Sequence, residues 1–305
     1  MNKKFLIKFL ISSILLFIVL KSINLKELTI LLKNLDIIYI VLAIISIYLG
    51  IFISSLKWKI LLSEQKINVN LKEVFSAYYY GMFFNNFLPS TIGGDFMRAK
   101  IISNKRRRLS KVLVSVLFDR YLGIMALSFL ALMGSVSSMR LGYPPTITIF
   151  GVSFFLFTLL ITIIFFKYNL KLKERLFSDE IDKFLLNFYN SLRKYKKLSK
   201  GIINSVILSF IFQGISILCT IFIVKSLGLE ISLGYLFLII PLVSLFSMIP
   251  LSINGIGLRE ASYVFFFSKL NLSATSALTV SFLTFSILVI VSLIGGIIFT
   301  IKSKN

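Results

Sequence analysis

The fold is decided by two short stretches that interrupt apolar sequence. Residues 89–98 are PSTIGGDFMR and residues 250–259 are PLSINGIGLR, and both match the pattern Pro-x-x-Ile-x-Gly-x-x-x-Arg. Proline removes a helical hydrogen bond and glycine has a low helix propensity, so each stretch is expected to end one helix and to precede another. The shared pattern therefore predicts two broken helices that are related by an internal repeat.

Long apolar runs surround both breaks. The chain has 305 residues, of which 57% are hydrophobic, whereas soluble domains average about 45–50%. Several runs approach or exceed the ~17–20 residues that span a bilayer as a helix. The predicted transmembrane segments are residues 5–20, 37–56, 112–133, 146–166, 202–224 and 274–301. The first is interpreted as a retained span, because the sequence after Leu20 has no small-residue cleavage site.

The composition excludes several kinds of chemistry. The sequence has no histidine and a single cysteine, Cys219, so neither histidine catalysis nor a cysteine metal cluster is available. We therefore expect no cofactor, no metal and no assigned catalytic residue. The net charge of +22 is attributed to cytoplasmic loops that face anionic lipid, and no nucleic-acid partner is expected.

The distribution of lysine and arginine predicts the topology. Basic residues are concentrated in segments 57–73, 97–111 and 167–200 and at both termini, whereas segments 134–145 and 225–231 carry little charge. The positive-inside rule places the basic segments and both termini in the cytoplasm and the other two outside. The sequence thus predicts a multi-pass protein of the plasma (inner) membrane.

This topology requires each broken helix to return to the side from which it enters. Two cytoplasmic segments flank the first, so residues 71–100 are predicted to enter from the cytoplasm, and residues 232–270 to enter from outside. The prediction is one domain, 1–305, with repeats at about 37–166 and 202–301. The fold class is all-α integral membrane, with about six transmembrane helices plus two re-entrant broken-helix hairpins in an inverted repeat.

The long cytoplasmic segment contains one more helical pattern. Apolar residues recur at helical spacing from Ile181 to Tyr195, with lysine and arginine on the opposite face. Such a helix either lies on the membrane surface or packs on other parts of the protein. The sequence leaves both alternatives open.

The two breaks are candidates for a binding site. The N-terminus of a half-helix attracts an anion, and an arginine one turn later offers a fork of donors suited to phosphate. Broken helices in inverted repeats are typical of transporters with a site near the membrane midplane. The predicted substrate-binding residues are Asn85, Asn86, Pro89, Ser90, Gly93, Gly94, Asp95, Arg98, Asp119, Arg120, Ser252, Asn254, Gly255, Gly257, Arg259 and Glu260.

Each candidate has a structural alternative. The glycines also fit ordinary helix breaks, and Arg98 also fits the cytoplasmic basic segment. Arg259 and its neighbour Glu260 also fit a simple ion pair. The sequence does not choose between these interpretations.

Asp119 and Arg120 are charged residues inside a predicted span. At 1.5 Å per residue from Lys111, Asp119 lies about 12 Å into the membrane, where a charge costs at least ~2.5 kcal/mol. Both are expected to face the bundle interior, where they line a polar lipid path or pair with Arg98 or Arg259. The alternative is a structural ion pair that fixes helix packing.

At these residues the chain resembles the flippase-like membrane domain of the lysylphosphatidylglycerol synthase transmembrane family. The resemblance rests on residues 85–95 with Arg98, 117–120 with Gly123, and 249–250 with 254–260. The family includes the membrane half of bacterial multiple peptide resistance factors, which resembles a flippase for aminoacylated phosphatidylglycerol. It also includes stand-alone bacterial and archaeal proteins, some linked to polyprenol-linked sugars. Only four residues follow Ile301, so a soluble aminoacyl-transferase domain is not expected.

The leading functional hypothesis is a flippase, or lipid translocase. It would move the headgroup of an anionic phospholipid (phosphatidylglycerol or its lysyl ester) or of a lipid-linked sugar, with membrane lipids as partners and an oligomer possible. The chain lacks a Gly-x-x-x-x-Gly-Lys-Ser/Thr motif, so transport would be passive or ion-driven. The alternatives are an intramembrane transferase that uses Asp95, Asp119 or Glu260 as acid or base, and an accessory subunit of a lipid-modifying complex. The lack of histidine and of a soluble donor-binding domain favours a translocase over an enzyme.

Overall fold

A computed structural model describes residues 3–87, 91–106, 109–167, 179–249 and 251–303. Regular secondary structure in these ranges is entirely α-helical. The helices are α1 (Lys3–Leu20), α2 (Leu25–Lys33), α3 (Ile37–Glu64), α4 (Leu71–Phe87), α5 (Thr91–Arg106), α6 (Leu109–Arg140), α7 (Pro145–Lys167), α8 (Asp179–Lys194), α9 (Lys200–Ser226), α10 (Leu233–Met248), α11 (Leu258–Ser268) and α12 (Ala274–Ser303).

Local capping residues determine where several helices begin. Asp36 accepts a hydrogen bond from the backbone N–H of Ile38 at the start of α3. Ser199 and Ser232 do the same for the first turns of α9 and α10. Such side chains satisfy backbone donors that have no partner within the helix. The starts of these three helices are therefore encoded locally.

Within the described ranges, five helices are long and apolar enough to cross a membrane: α3, α6, α7, α9 and α12. They coincide with five of the predicted transmembrane segments. The sixth forms α1, an 18-residue helix that carries Lys3, Lys4 and Lys8 in its first six residues. α10 is a shorter apolar helix. The protein is an all-α, multi-pass integral membrane protein, as the sequence predicts.

Helix packing follows one pattern in both halves of the chain. α3 packs on α9, α4 on α12, and α10 on α6. Within the halves, α4 packs on α5 and α5 on α6, while α10 packs on α11 and α11 on α12. If α3–α6 are exchanged for α9–α12, the α3–α9 pair maps onto itself and each of the other pairs maps onto another of them. This is the packing that an internal repeat requires.

The central pair, α3 and α9, is antiparallel. The thiol of Cys219 lies 3.6 Å from the carbonyl of Ala43, and Gly50, further along α3, lies beside Phe212. The contacts therefore advance along α3 while they go back along α9. Equivalent helices that run in opposite directions are expected of two units with opposite orientation. The inverted repeat and the re-entry of the hairpins from opposite membrane faces stay predictions, and this packing supports them.

Two equivalent glycines allow the halves to approach closely. A Cβ on Gly134 of α6 would overlap the backbone at Leu238 of α10, and a Cβ on Gly295 of α12 would overlap the backbone at Tyr79 of α4. The two glycines are 161 residues apart, the same spacing as between residues 89 and 250. Small residues at helix contacts are the usual means of close packing within a membrane.

Two predicted loops are mostly helical. α3 continues to Glu64 and α5 to Arg106, so the assignment of segments 57–73 and 97–111 to loops was wrong. A buried cation can extend a membrane helix when an acid on another helix neutralises it, and Lys57 of α3 pairs with Asp119 in this way.

The two breaks lie where they were predicted. α4 ends at Phe87 and α5 begins at Thr91, while α10 ends at Met248 and α11 begins at Leu258. The predicted residues Pro89, Ser90 and Pro250 lie outside the described residues.

The C-terminal end of α8 packs on the bundle. Ser191 accepts a hydrogen bond at its carbonyl from the side chain of Gln65, at 2.8 Å. Tyr195 donates to the carbonyl of Leu61 at 2.9 Å and stacks on Phe118 with ring centroids 4.2 Å apart. Packing on other helices is therefore correct for this end, and contact of α8 with the membrane surface stays a prediction.

The glycine contacts give a direct test of the packing between the halves. Gly134→Ala and Gly295→Ala are each expected to lower the free energy of unfolding by about 1–3 kcal/mol, because the new methyl group overlaps backbone that cannot rotate away. Gly214→Ala is the matched control, since a Cβ there meets no atom within 4 Å. It is expected to be neutral or stabilising by about 0.5–1 kcal/mol. Denaturant titration of the purified protein measures all three, and equal losses would contradict the packing.

Candidate functional site

A polar cavity of about 220 Å³ lies between α3, α4, α5, α6 and α9, beside the last residue of α10. Most of its wall comes from the first half of the chain. The charged side chains that line it form what we call the charge cluster: Lys57, Asp95, Arg98, Asp119 and Arg120.

Arg98 is the centre of the charge cluster. Its Nε donates to Asp95 and its Nη2 donates to Asp119, both at 3.0 Å. The guanidinium carbon lies 4.6 Å from the ring centroid of Trp58 and 4.4 Å from that of Tyr78, a favourable position for a cation. The residue is 4% exposed, and its Nη1 has no hydrogen-bond partner among the described residues. Arg98 is thus held rigidly with one donor edge left over.

Asp119 is surrounded by groups that stabilise its charge. Lys57 Nζ lies 2.9 Å from Oδ1, and the hydroxyl of Tyr78 donates to Oδ2 at 2.7 Å. Arg98 shares Oδ2. A buried carboxylate is tolerated only when it is paired and hydrogen-bonded. These contacts explain how α6 carries an acid inside the membrane, and they confirm the predicted pairing of Asp119 with Arg98.

Arg120 pairs with Asp95 of α5 and not with Asp119, which precedes it in the chain. Its Nε pairs with Asp95, and its side chain is 25% exposed. The charge cluster therefore contains three cations (Lys57, Arg98, Arg120) and two carboxylates (Asp95, Asp119), which leaves a formal charge of +1.

The first break is shaped by a close contact between α4 and α5. The backbone N–H of Gly94 donates to the Asn85 side chain at 2.9 Å, which satisfies one donor at the start of α5. A Cβ on Gly94 would overlap the carbonyl of Gly81. Gly94 is thus required by packing, and Gly93 precedes it in the first turn of α5.

The second break depends on positive φ angles. Gly255 and Gly257 have φ of +74° and +87°, which glycine adopts without strain. Asn254 has a φ of +48°. Glu260 is fully buried, and its Oε2 accepts from the backbone N–H of Gly257 at 2.7 Å. Glu260 therefore caps α11.

Arg259 is neutralised by its own neighbour. Its Nη2 lies 2.5 Å from Glu260 Oε1, and its Nε lies 3.1 Å from the hydroxyl of Ser281. The guanidinium carbon lies 4.2 Å from the ring centroid of Phe285. The alternative that Arg259 and Glu260 pair with each other is correct, so this pair carries no net charge.

The two breaks touch each other through asparagine side chains. Asn254 donates to Asn86 at 3.2 Å, and Asn86 donates to the hydroxyl of Ser292 at 2.6 Å. Ser252, near the same contact, is buried. Asn86 and Asn254 thus link the hairpin of the first half to that of the second.

The predicted site residues fall into two groups. Five of them line the polar cavity: Asn85, Asp95, Arg98, Asp119 and Arg120. It is not lined by Asn86, Gly93 or Gly94, nor by the second-break residues from Ser252 to Glu260. Pro89 and Ser90 are outside the described residues.

Sequence reasoning missed Lys57, Trp58 and Tyr78. A carboxylate within a predicted span requires a buried cation, and Lys57 stands directly after an apolar run. That requirement was the signal for it. Trp58 and Tyr78 carried no comparable signal.

The described part of the chain has no group of three or more His, Cys, Asp or Glu side chains that could hold a metal. The polar cavity instead has a surplus positive charge in its wall, and the buried Nη1 of Arg98 has no hydrogen-bond partner among the described residues. That combination suits an anion with oxygen acceptors, such as a phosphate.

Comparison with known proteins gives a consistent picture. The family model described as "Lysylphosphatidylglycerol synthase TM region" matches residues 5–296. A UPF0104 membrane protein of Pyrococcus horikoshii is 26% identical over 295 residues, covering 86% of this chain and 87% of the relative. A UPF0104 membrane protein of Methanothermobacter thermautotrophicus is 24% identical over 269 residues, covering 79% and 78%. No solved structure matches significantly.

A double-mutant cycle tests the charge cluster. Asp119→Asn is expected to lower the free energy of unfolding by about 3–5 kcal/mol, because it leaves two buried cations with less compensation. Lys57→Met combined with Asp119→Asn is expected to lose less than the sum of the single variants, since it removes one charge of each sign. Glu230→Gln, at an exposed position, is the control. Additive losses in denaturant titration would contradict coupling between Lys57 and Asp119.

Proposed function

We propose that this chain, which belongs to the lysylphosphatidylglycerol synthase transmembrane-region family, is a lipid translocase. It carries a lipid headgroup that contains an anionic phosphate across the membrane. The headgroup classes are phosphatidylglycerol, its lysyl ester and lipid-linked sugars. The observation that supports this proposal most is a polar cavity with one surplus positive charge, lined by Arg98, whose buried Nη1 has no hydrogen-bond partner among the described residues.

The physical argument begins with the cost of moving a phosphate through hydrocarbon. An unpaired ion is strongly disfavoured in a low-dielectric medium, so a translocase must supply a charged partner within the membrane. Arg98 is fixed by two carboxylates and two aromatic rings. Because it is already ordered and desolvated, a phosphate oxygen gains a charge-assisted hydrogen bond at little further entropic cost.

The formal charge of +1 on the charge cluster favours a phosphate in the polar cavity. Asp95 and Asp119 alone would repel a phosphate, but Lys57 and Arg120 compensate them and leave Arg98 in excess. One monoanionic phosphate then brings the cavity to neutrality. In this proposal Lys57 and Arg120 tune the charge, while Arg98 makes the contact.

The second break has a supporting role in the proposal. Its arginine is already neutralised by Glu260, and Asn254 contacts the first break through Asn86. We propose that the residues from Ser252 to Glu260 shape the tip of the second hairpin and hold it against the first. The phosphate contact is thus confined to one half of the repeat.

The transferase alternative has less support. Asp95 and Asp119 each pair with an arginine, and Glu260 pairs with Arg259 and caps α11. A carboxylate held in this way is a poor proton donor or acceptor.

We propose a location in the plasma membrane with both termini in the cytoplasm, because the basic segments follow the positive-inside rule.

Lipid scrambling in proteoliposomes tests the proposal. The purified protein is reconstituted with fluorescent phosphatidylglycerol, its lysyl ester or a polyprenyl phosphate, with and without an ion gradient. The double variant Arg98→Gln with Asp119→Asn removes one charge of each sign and is expected to slow movement by at least about tenfold, a loss of about 1.4 kcal/mol. Lys269→Gln with Glu230→Gln removes one exposed charge of each sign and is expected to have no effect.

Two results would contradict the proposal. One is a wild-type protein that moves none of the three lipids under any gradient. The other is a folded Arg98/Asp119 variant, monodisperse in size-exclusion chromatography, that moves lipid at the wild-type rate. The second result would leave translocation standing and remove Arg98 as the phosphate contact.

A further inference from the structure

A second cavity lies between α3 and α9, where they face α4 and α12. It has a volume of about 250 Å³ and is lined by aliphatic side chains such as Ile47, Ile215 and Leu288. Two hydroxyls in its wall are bonded to the backbone of their own helices. Ser46 donates to the carbonyl of Leu42 at 2.8 Å, and Thr284 donates to that of Val280 at 2.7 Å. Most of the surface that lines the cavity is apolar. The cavity therefore presents hydrocarbon.

This apolar cavity adjoins the polar cavity. Four residues line both: Ser54, Tyr78, Met82 and Phe212. Tyr78 marks the boundary, since its hydroxyl donates to Asp119 while its ring stands in the wall of the apolar cavity. A molecule that spans both cavities must be charged at one end and apolar at the other.

The apolar cavity also has an opening toward the surface. Ser216 of α9 lines it and is exposed, and its neighbours Phe212 and Ile215 are half-buried. Because α9 is one of the helices long enough to cross a membrane, this opening faces the region that bilayer lipid occupies. An apolar chain can reach the cavity sideways without passing through water.

We infer that the apolar cavity binds a single hydrocarbon chain of the lipid whose phosphate contacts Arg98. The inference rests on the proposed function and adds a chain site within the protein. The lipid is then held at both ends: its phosphate in the charge cluster and one chain between α3 and α9. A fatty acyl chain and an isoprenyl chain share the required chemistry.

The energetics assign different roles to the two cavities. A chain gains little by leaving a bilayer for the cavity, because both surroundings are hydrocarbon. Binding energy must then come from the phosphate at Arg98, while the apolar cavity selects by shape through close contacts. A chain with an uncharged headgroup should therefore not compete for the cavity.

Photolabelling of the full-length protein in phosphatidylcholine nanodiscs tests this inference. Three single-chain probes carry a diazirine at the chain end: an acyl-type phosphodiester, an isoprenyl phosphate, and the acyl chain with an uncharged glycerol head. Mass spectrometry then locates the label. The phosphate probes are expected to label cavity residues such as Ile47 and Ile215 at least about tenfold more than the uncharged probe, because only they are anchored by charge.

Two variants of α9 provide a matched pair. Ser216→Trp places a large ring in the opening of the apolar cavity and is expected to reduce cavity labelling by about tenfold. Leu218→Trp is two residues further on, at a position that is 44% exposed and does not line the cavity, so its labelling should match the wild type. Preferential labelling by one phosphate probe assigns the cavity to that type of chain.

Equal cavity labelling by the charged and uncharged probes would overturn the inference, because ordinary bilayer lipid would then fill the space. Label confined to outward-facing residues such as Leu218 would overturn it as well. These comparisons use the wild-type protein and do not depend on a variant that folds. Scrambling without cavity labelling would remove the chain site alone, whereas cavity labelling without scrambling would remove the proposed function alone.

Discussion

The rest of the structure depends on neutralising Asp119 inside the membrane. α6 is a 32-residue helix with this acid buried in its first half, and the acid is tolerated only because three other helices supply partners. Lys57 comes from α3, Tyr78 from α4 and Arg98 from α5. Burying ions gains little stability by itself, so the network is better explained as a device that orients four helices around one cavity.

The two halves share their packing but differ in how they treat the arginine of the break. Arg98 pairs with Asp119, which lies 21 residues further along the chain. Arg259 donates a hydrogen bond to Ser281, a neutral residue 22 residues further along the chain. Its ion-pair partner is Glu260. The first arrangement leaves Nη1 of Arg98 without a hydrogen-bond partner among the described residues, and the second carries no net charge. The two equivalent arginines therefore have different electrostatic surroundings.

The polar cavity and the apolar cavity meet at the central pair of helices. α3 and α9 supply residues to both, and their antiparallel contact is also the main link between the halves. Any motion of one half against the other must therefore change both cavities together. This coupling is a physical argument for placing the proposed lipid site here and not at the periphery.

The sequence by itself determined the spans and the two breaks, and it left the pairing of Arg259 with Glu260 as one of two alternatives. A membrane requires long apolar runs, and a helix break requires particular residues. Only the tertiary structure decided that Arg120 pairs with Asp95 and that Lys57 belongs to the cluster instead of a loop. The partners of these charges are 25 and 62 residues away in the chain. Which of them meet depends on how each helix is rotated and how deeply it packs, and local sequence carries no record of either.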